Sequence, residues 1–295
     1  MSRQLAFVLG GGAARGALQV GALRALLEAN IRPDMLVGTS IGAVNATYLA
    51  MRGVSLESIN RLAENWRDAA QADLLPSNFL WVTLSALFNR SGTSGPYHRM
   101  RDFFIAHGLT PDLRFGDIQD VRLVIVAADL NCGCAVLYGP DPHQSVLEAV
   151  LASAALPPWI PPLAKDGQLL MDGGAISNLP VEPALAQGAT EIIALDLTDS
   201  RDIPSESRSW PTLLAKLMNM AEQRQMELEV RLAEARGVPV RRIVLQGSSP
   251  VTIWDFQRAD ELVARGYDIA CREIASWPPD RSSRWLKWLA RLKLR

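Results

Sequence analysis

Histidine and cysteine are scarce in this chain, with three of each among 295 residues. Cys132, Cys134 and Cys271 are too few and too uneven to form a disulfide framework. Cys132-x-Cys134 lacks a second cysteine pair or a nearby histidine, so no metal site is expected there. The three are read as reduced cytosolic thiols. Charge of one sign is also missing. Thirty Lys and Arg against 31 Asp and Glu give a net charge of -1, which excludes a global electrostatic case for nucleic-acid binding. Long apolar runs are absent as well. No stretch reaches the roughly 18 uninterrupted apolar residues of a membrane span. The apolar Leu5 to Leu9 is too short for a secretory signal. These absences lead us to expect a cytoplasmic protein.

What is present supports a sizeable core, with 48% hydrophobic residues in a length suited to one large α/β domain. Leu5 to Leu9 reads as a buried strand ending in Gly10-Gly11-Gly12-Ala13-Ala14-Arg15-Gly16, and Ala17 to Ala29 has helical apolar spacing. Asp34 to Val37 reads as a second strand, followed by a turn at Ser40 and a helix to about Met51. Strand, loop and helix thus occur twice in fifty residues, the pattern of a parallel sheet with helices on its faces. Further strands are expected at Leu123 to Ala128, Cys134 to Tyr138, Leu169 to Met171, Ile192 to Leu197 and Arg242 to Leu245. Helices are expected at Leu56 to Ala70, Gln144 to Ala155, Trp210 to Arg236 and Phe256 to Ile274. Phe79 to Phe88 is apolar nearly all round and reads as a buried helix, or else as a lid or membrane-docking element. Ser91 to Gly95 reads as a loop.

The chemistry centres on Gly38-Thr39-Ser40-Ile41-Gly42. A serine on a sharp strand-to-helix turn has its hydroxyl pushed out of the backbone, with glycines at 38 and 42 letting the chain pass close behind. The hydroxyl needs a base. His98, His107 and His143 each sit in surroundings that suit a cap or a surface loop, and none carries a motif. Asp172 is the stronger candidate, because it follows an apolar strand and precedes Gly173 and Gly174. The competing reading of Asp172-Gly173 is a turn between two strands. Gly10 to Gly16 can offer backbone amides to an oxyanion, with Arg15 adding charge or bracing the loop. As a dinucleotide-binding turn it fails, since the third glycine falls at Arg15 and no acidic residue ends the second strand.

In this order the three features resemble the patatin-like phospholipase family, over most of the chain. Gly10 to Gly16 resembles its oxyanion loop, Gly38 to Gly42 its nucleophile motif and Asp172-Gly173-Gly174 its D-G-G/A motif. Ala152 to Pro157 with Pro161-Pro162, and Asn178-Leu179-Pro180, resemble the segments around that motif. The small size and early first strand are similar to the compact bacterial members. The resemblance implies a three-layer α/β/α fold with a mainly parallel sheet. It implies a Ser40-Asp172 dyad, an acyl-enzyme, and oxyanion contacts from Gly10, Gly11, Gly12, Ala13 and Arg15, supported by Gly38, Gly42, Gly173 and Gly174. It implies no metal and no cofactor. Where Ala13 stands many members carry glycine.

The expected activity is hydrolysis of phospholipid or lysophospholipid esters. The alternatives are a soluble carboxylesterase on short acyl esters and a non-enzymatic regulatory protein on the same fold. Residues 1–280 are read as the acyl-hydrolase domain and 281–295 as a basic tail. As a helix, Arg281 to Arg295 sets Trp285, Trp288 and Leu292 opposite Arg284, Lys287 and Arg291, with Lys293 spoiling the apolar edge. This suits either the inner face of a membrane or docking on the domain.

Overall fold

The computed structural model describes residues 3–71, 95–157, 159–199, 201, 210–252 and 255–277. Phe79 to Phe88, the loop before Gly95 and the Arg281 to Arg295 tail lie outside the described residues.

β1 (Leu5–Leu9) is buried at every position. A strand covered on both faces needs such an unbroken apolar run. β2 (Met35–Thr39) is equally buried and pairs parallel with β1. β3 (Arg122–Asp129) pairs parallel with β2, β7 (Glu191–Asp196) with β1, and β8 (Val240–Val244) with β7. Three antiparallel pairings complete an eight-stranded sheet. β4 (Cys134–Tyr138) pairs with β3, β6 (Gln168–Asp172) also pairs with β3, and β5 (Leu163–Lys165) pairs with β6.

One register decides the site. β2 faces β3 up to Thr39 opposite Val126, and β6 faces β3 from Ala127 opposite Asp172. Val126 and Ala127 also pair with Leu137 and Val136 of β4, which therefore occupies the other edge of β3. Hence β2 and β6 share one edge of β3, run in opposite directions, and meet end to end.

Helices cover both faces. On one lie α1 (Gly16–Glu28), α2 (Ile41–Arg52), α3 (Leu56–Gln71), α4 (Pro96–Ala106), α5 (Val146–Ser153) and, last among the described residues, α9 (Ala259–Ser276), packed around Phe7, Leu9 and Leu36. The opposite face holds α7 (Val181–Ala186) and α8 (Trp210–Ala235) against Ala6, Val8, Met35 and Val37. Between β6 and α7 the chain makes a single short helix, α6 (Gly174–Ser177).

The expected strands and helices are in place with shifted ends. The largest shift is at α9, which begins at Ala259 rather than Phe256, after a 3₁₀ turn at Phe256–Arg258. Asp172-Gly173 leads into α6, so the competing reading of a hairpin turn does not hold. The Asp-Gly hairpin turn lies instead at Asp166 and Gly167, both at positive φ, between β5 and β6. Cys132 and Cys134 were read as reduced thiols, but the structure joins them in a disulfide at the β3–β4 hairpin. The turn at Gly133 brings their Cα atoms to 5.3 Å, within the range such a bond spans. Asp129 lies beside them, its carboxylate accepting from the amides of Asn131 and Leu169.

Candidate active site

Ser40 is the hinge between β2 and α2, at φ 54° and ψ -125°. This backbone region is costly for a residue with a Cβ, and it persists because the surroundings fix it. The Ser40 amide donates to Ser153 Oγ at 2.9 Å, and Ser153 Oγ donates to the Val126 carbonyl at 2.6 Å. The Ser40 carbonyl accepts from the amides of Ala43 and Val44 as α2 begins. Gly42 allows this sharp turn, since a Cβ there would lie 2.1 Å from the Leu9 carbonyl oxygen.

Ser40 Oγ donates to Asp172 Oδ2 at 2.6 Å. The other carboxylate oxygen, Oδ1, accepts from the Gly174 amide at 2.8 Å. Asp172 is buried, and burial pushes its carboxyl up to about 6 against the opposing pull of these two hydrogen bonds. Gly173 lets the chain leave β6 pressed against β3, where a Cβ would sit 2.3 Å from the Val126 carbonyl oxygen. None of the histidines replaces Asp172 as the partner of Ser40. His107 Nδ1 meets the Phe103 carbonyl at 2.8 Å and Nε2 lies 3.4 Å from Asp68. His98 stands edge-on to Tyr97, and His143 is exposed.

The glycine loop passes directly beside Ser40, and a Cβ on Gly11 would lie 3.2 Å from that of Ser40. Its amides divide into two groups. Gly10 donates to the Leu195 carbonyl and Gly11 to the Asn178 carbonyl, so those two brace the loop. The Gly12 and Ala13 amides make no such bond among the described residues. Ala13 has φ 47° and borders the same cavity as Ser40. Arg15 points back along the loop, with Nε 3.3 Å from the Gly12 carbonyl and Nη1 3.5 Å from that of Asp199.

Beneath the loop is a buried polar chain that sequence reading did not single out. Gln19 Nε2 donates to the Gly10 carbonyl at 2.8 Å. Asn45 Nδ2 donates to Gln19 Oε1 and the Gly16 carbonyl, and Trp66 Nε1 donates to Asn45 Oδ1. Gln19 and Asn45 lie on helix faces that are otherwise apolar. Their polarity at core positions is a signal the sequence offers, because buried amides are retained where partners satisfy them.

Ser40 and Asp172 open into one cavity whose walls are apolar, among them Tyr48, Met51, Leu62, Phe104, Val150 and Ile160. A serine on a strand-to-helix turn, bonded to a buried aspartate, is an arrangement in which a hydroxyl can be activated as a nucleophile. The chain belongs to the patatin-like phospholipase family, whose model matches residues 7–185. It is 29% identical over 296 residues to human patatin-like phospholipase domain-containing protein 6, covering 92% of this chain and 20% of that protein. It is 32% identical over 204 residues to the lysophospholipase nte1 of Aspergillus terreus, covering 66% of this chain and 12% of that protein. The structure of VipD from Legionella pneumophila superposes with a TM-score of 0.48 at 14% identity, covering 94% of this chain and 67% of that one. The chain thus spans about a fifth of the length of the first curated relatives it matches. Among the described residues, no helix is long and apolar enough to cross a membrane.

Proposed function

We propose that the chain hydrolyses fatty-acyl esters of phospholipids or lysophospholipids through Ser40 and Asp172. The observation that carries this is the 2.6 Å bond from Ser40 Oγ to Asp172 Oδ2 at the mouth of an apolar cavity. Asp172 takes the hydroxyl proton as Oγ bonds to the acyl carbonyl carbon. The carbonyl oxygen becomes an oxyanion, and we take the Gly12 and Ala13 amides as its donors, because the loop's own bonds engage those of Gly10 and Gly11 instead. Collapse breaks the ester bond, and the alcohol leaves with the proton from Asp172. Water then attacks the acyl-enzyme with Asp172 again as base, releasing fatty acid and restoring Ser40. A carboxyl held at about 6 is ionised at neutral pH yet basic enough for this exchange.

The cavity favours a lipid chain over a short ester. Apart from Ser40, Asp172 and a few polar groups such as Asn45 and His107, its walls are hydrocarbon and aromatic, a lining that gains free energy from every methylene it covers.

Contact with a lipid surface belongs to the same reading, and its first support lies in α8. Residues 210–220 contain one charged residue, Lys216, whereas residues 221–235 contain six. Yet it is the first half that is exposed, with Trp210, Leu213, Leu214, Leu217, Met218 and Met220 all open to solvent. Glu229 of α8 bonds Ser177, whose carbonyl accepts from Thr39, so Glu229 stands level with the dyad. The 19 residues back to Trp210 carry the helix roughly 28 Å farther, at 1.5 Å per residue. The apolar half thus extends beyond the C-terminal ends of the parallel strands, where Ser40 lies. We assign it to the lipid surface that supplies the substrate.

The test is fatty-acid release from phospholipid and lysophospholipid vesicles by wild type, Ser40→Ala and Asp172→Asn. Loss of at least about a hundredfold in both variants is expected. An active Asp172→Asn would return the base to the histidines. A wild type that cleaves only a short soluble ester would overturn the lipid assignment.

A further inference from the structure

Glu229 is a buried acid that the chemistry above does not use, 8% exposed in the middle of α8. Its carboxylate accepts from Ser177 Oγ at 2.7 and 3.0 Å and from the Glu182 amide at 2.8 Å. Gln225 Nε2, on the same helix, lies 3.4 Å away. Ser177 ends α6, the single turn that follows Asp172 and Gly173. Its amide donates to the Gly173 carbonyl at 2.8 Å. Its carbonyl accepts from Thr39 Oγ1 at 2.8 Å, and Thr39 immediately precedes Ser40. Ser177 and Thr39 are both buried. A continuous chain of hydrogen bonds therefore runs from α8 through Ser177 to the backbone on either side of the dyad.

We propose that Glu229 is a positioning residue, which fixes α6 from behind and so sets the placement of Asp172 against Ser40. The inference rests on the Ser40-Asp172 reading of the site. Several facts favour an anchor over an incidental core contact. The two strands that deliver Ser40 and Asp172 meet end to end, so no ladder bond joins one to the other. What spans the junction on this face is the Thr39 to Ser177 bond. α6 is only four residues long, too short to hold itself. Burial pushes the Glu229 carboxyl up to about 7, so the fold keeps a desolvated acid here at a cost. The donors it satisfies outside its own helix, Ser177 Oγ and the Glu182 amide, flank the turn between α6 and α7.

Glu229→Leu removes both acceptors, and Glu229→Gln restores one. Two readouts are needed: kcat and KM on a soluble ester, and amide hydrogen exchange of the folded protein. The expected result is a kcat lower by about tenfold in Glu229→Leu, a smaller loss in Glu229→Gln, and a KM within about twofold. Exchange is expected to quicken in peptides covering 172–182 and 38–41 and to stay unchanged in α1 and α3. Ser177→Ala, which loses the hydroxyl but keeps the carbonyl, is expected to match Glu229→Gln. If Glu229→Leu does not fold, the other two variants decide. Unchanged exchange and kcat, or exchange that quickens uniformly, would overturn the proposal. A wild type that hydrolyses no ester would sink the acyl-hydrolase reading, while the exchange pattern would still settle whether Glu229 holds α6 and Thr39.

Discussion

Thr39 and Asp172 lie opposite consecutive residues of one strand, Val126 and Ala127. They arrive from opposite directions on the same edge of β3. The proposed nucleophile, Ser40, follows the first, and the proposed base is the second. Their geometry is therefore set by a single strand acting as a ruler, and changes along that ruler reach the chemistry first.

Gly173→Ala tests the ruler. The new methyl would sit 2.3 Å from the Val126 carbonyl oxygen and 3.1 Å from Thr39 Cγ2. Overpacking of this kind costs roughly 1–3 kcal/mol, and here the displaced residue adjoins Asp172. A lower urea midpoint is expected together with a loss of ester hydrolysis larger than the loss of stability explains. Full activity in a destabilised Gly173→Ala would show that the carboxylate tolerates the shift.

Backbone strain at Ser40 gives a prediction of opposite sign. Both Ser40→Ala and Ser40→Gly lose the bond to Asp172, but only glycine relieves φ 54°, ψ -125°. Strain of this type is worth about 1–3 kcal/mol. Ser40→Gly is expected to unfold at a higher urea concentration than Ser40→Ala, reversing the usual penalty for glycine. Equal midpoints would mean that the turn stores no strain.

Asp172 and Glu229 have carboxyls raised to about 6 and about 7 by burial. Between the unfolded values near 4 and these folded values, the native state holds more protons than the unfolded state. Stability therefore falls as pH rises through this window. Each group accounts for something on the order of 3 kcal/mol by pH 8. Activity runs the other way, since Asp172 must lose its proton to serve as base. Urea midpoints are expected to be higher at pH 5 than at pH 8, with kcat/KM rising over the same range. Asp172→Asn should flatten part of the stability slope. A wild type that grows more stable from pH 5 to pH 8 would contradict the burial of these acids.

The apolar half of α8 is expected to govern lipid contact and nothing else. Replacing Trp210 and Leu217 by serine should weaken sedimentation with phospholipid vesicles by about tenfold or more, since tenfold is only about 1.4 kcal/mol. Hydrolysis of a short soluble ester should stay within about twofold. Unchanged vesicle binding, or a change of oligomeric state in the variant, would assign that face to something other than lipid.

Sequence reading is sharpest where local signals are strong. Apolar strands followed by glycines mark Ser40 and Asp172, and both stand at the ends of strands as expected. The glycine loop was legible as a loop, but not the split of its amides. Which amides are engaged depends on Leu195 and Asn178, far along the chain. The Asp-Gly turn is at Asp166-Gly167 and not at Asp172-Gly173, although the two dipeptides look alike in the sequence. Glu229 gave no signal at all. Its helix is rich in charge, its partner Ser177 is 52 residues away, and only packing shows that this one acid faces inward.

The end-to-end meeting of β2 and β6 also governs when the chain can act. Ser40 and Asp172 are 132 residues apart, so the proposed nucleophile is synthesised long before its proposed base. Until β6 docks against β3, Ser40 lacks its Asp172 partner, and until α6 and β7 follow, the glycine loop lacks the Asn178 and Leu195 carbonyls that brace it. On the proposed mechanism a chain that stops short of β7 is chemically silent, and hydrolysis waits for the sheet to be assembled that far.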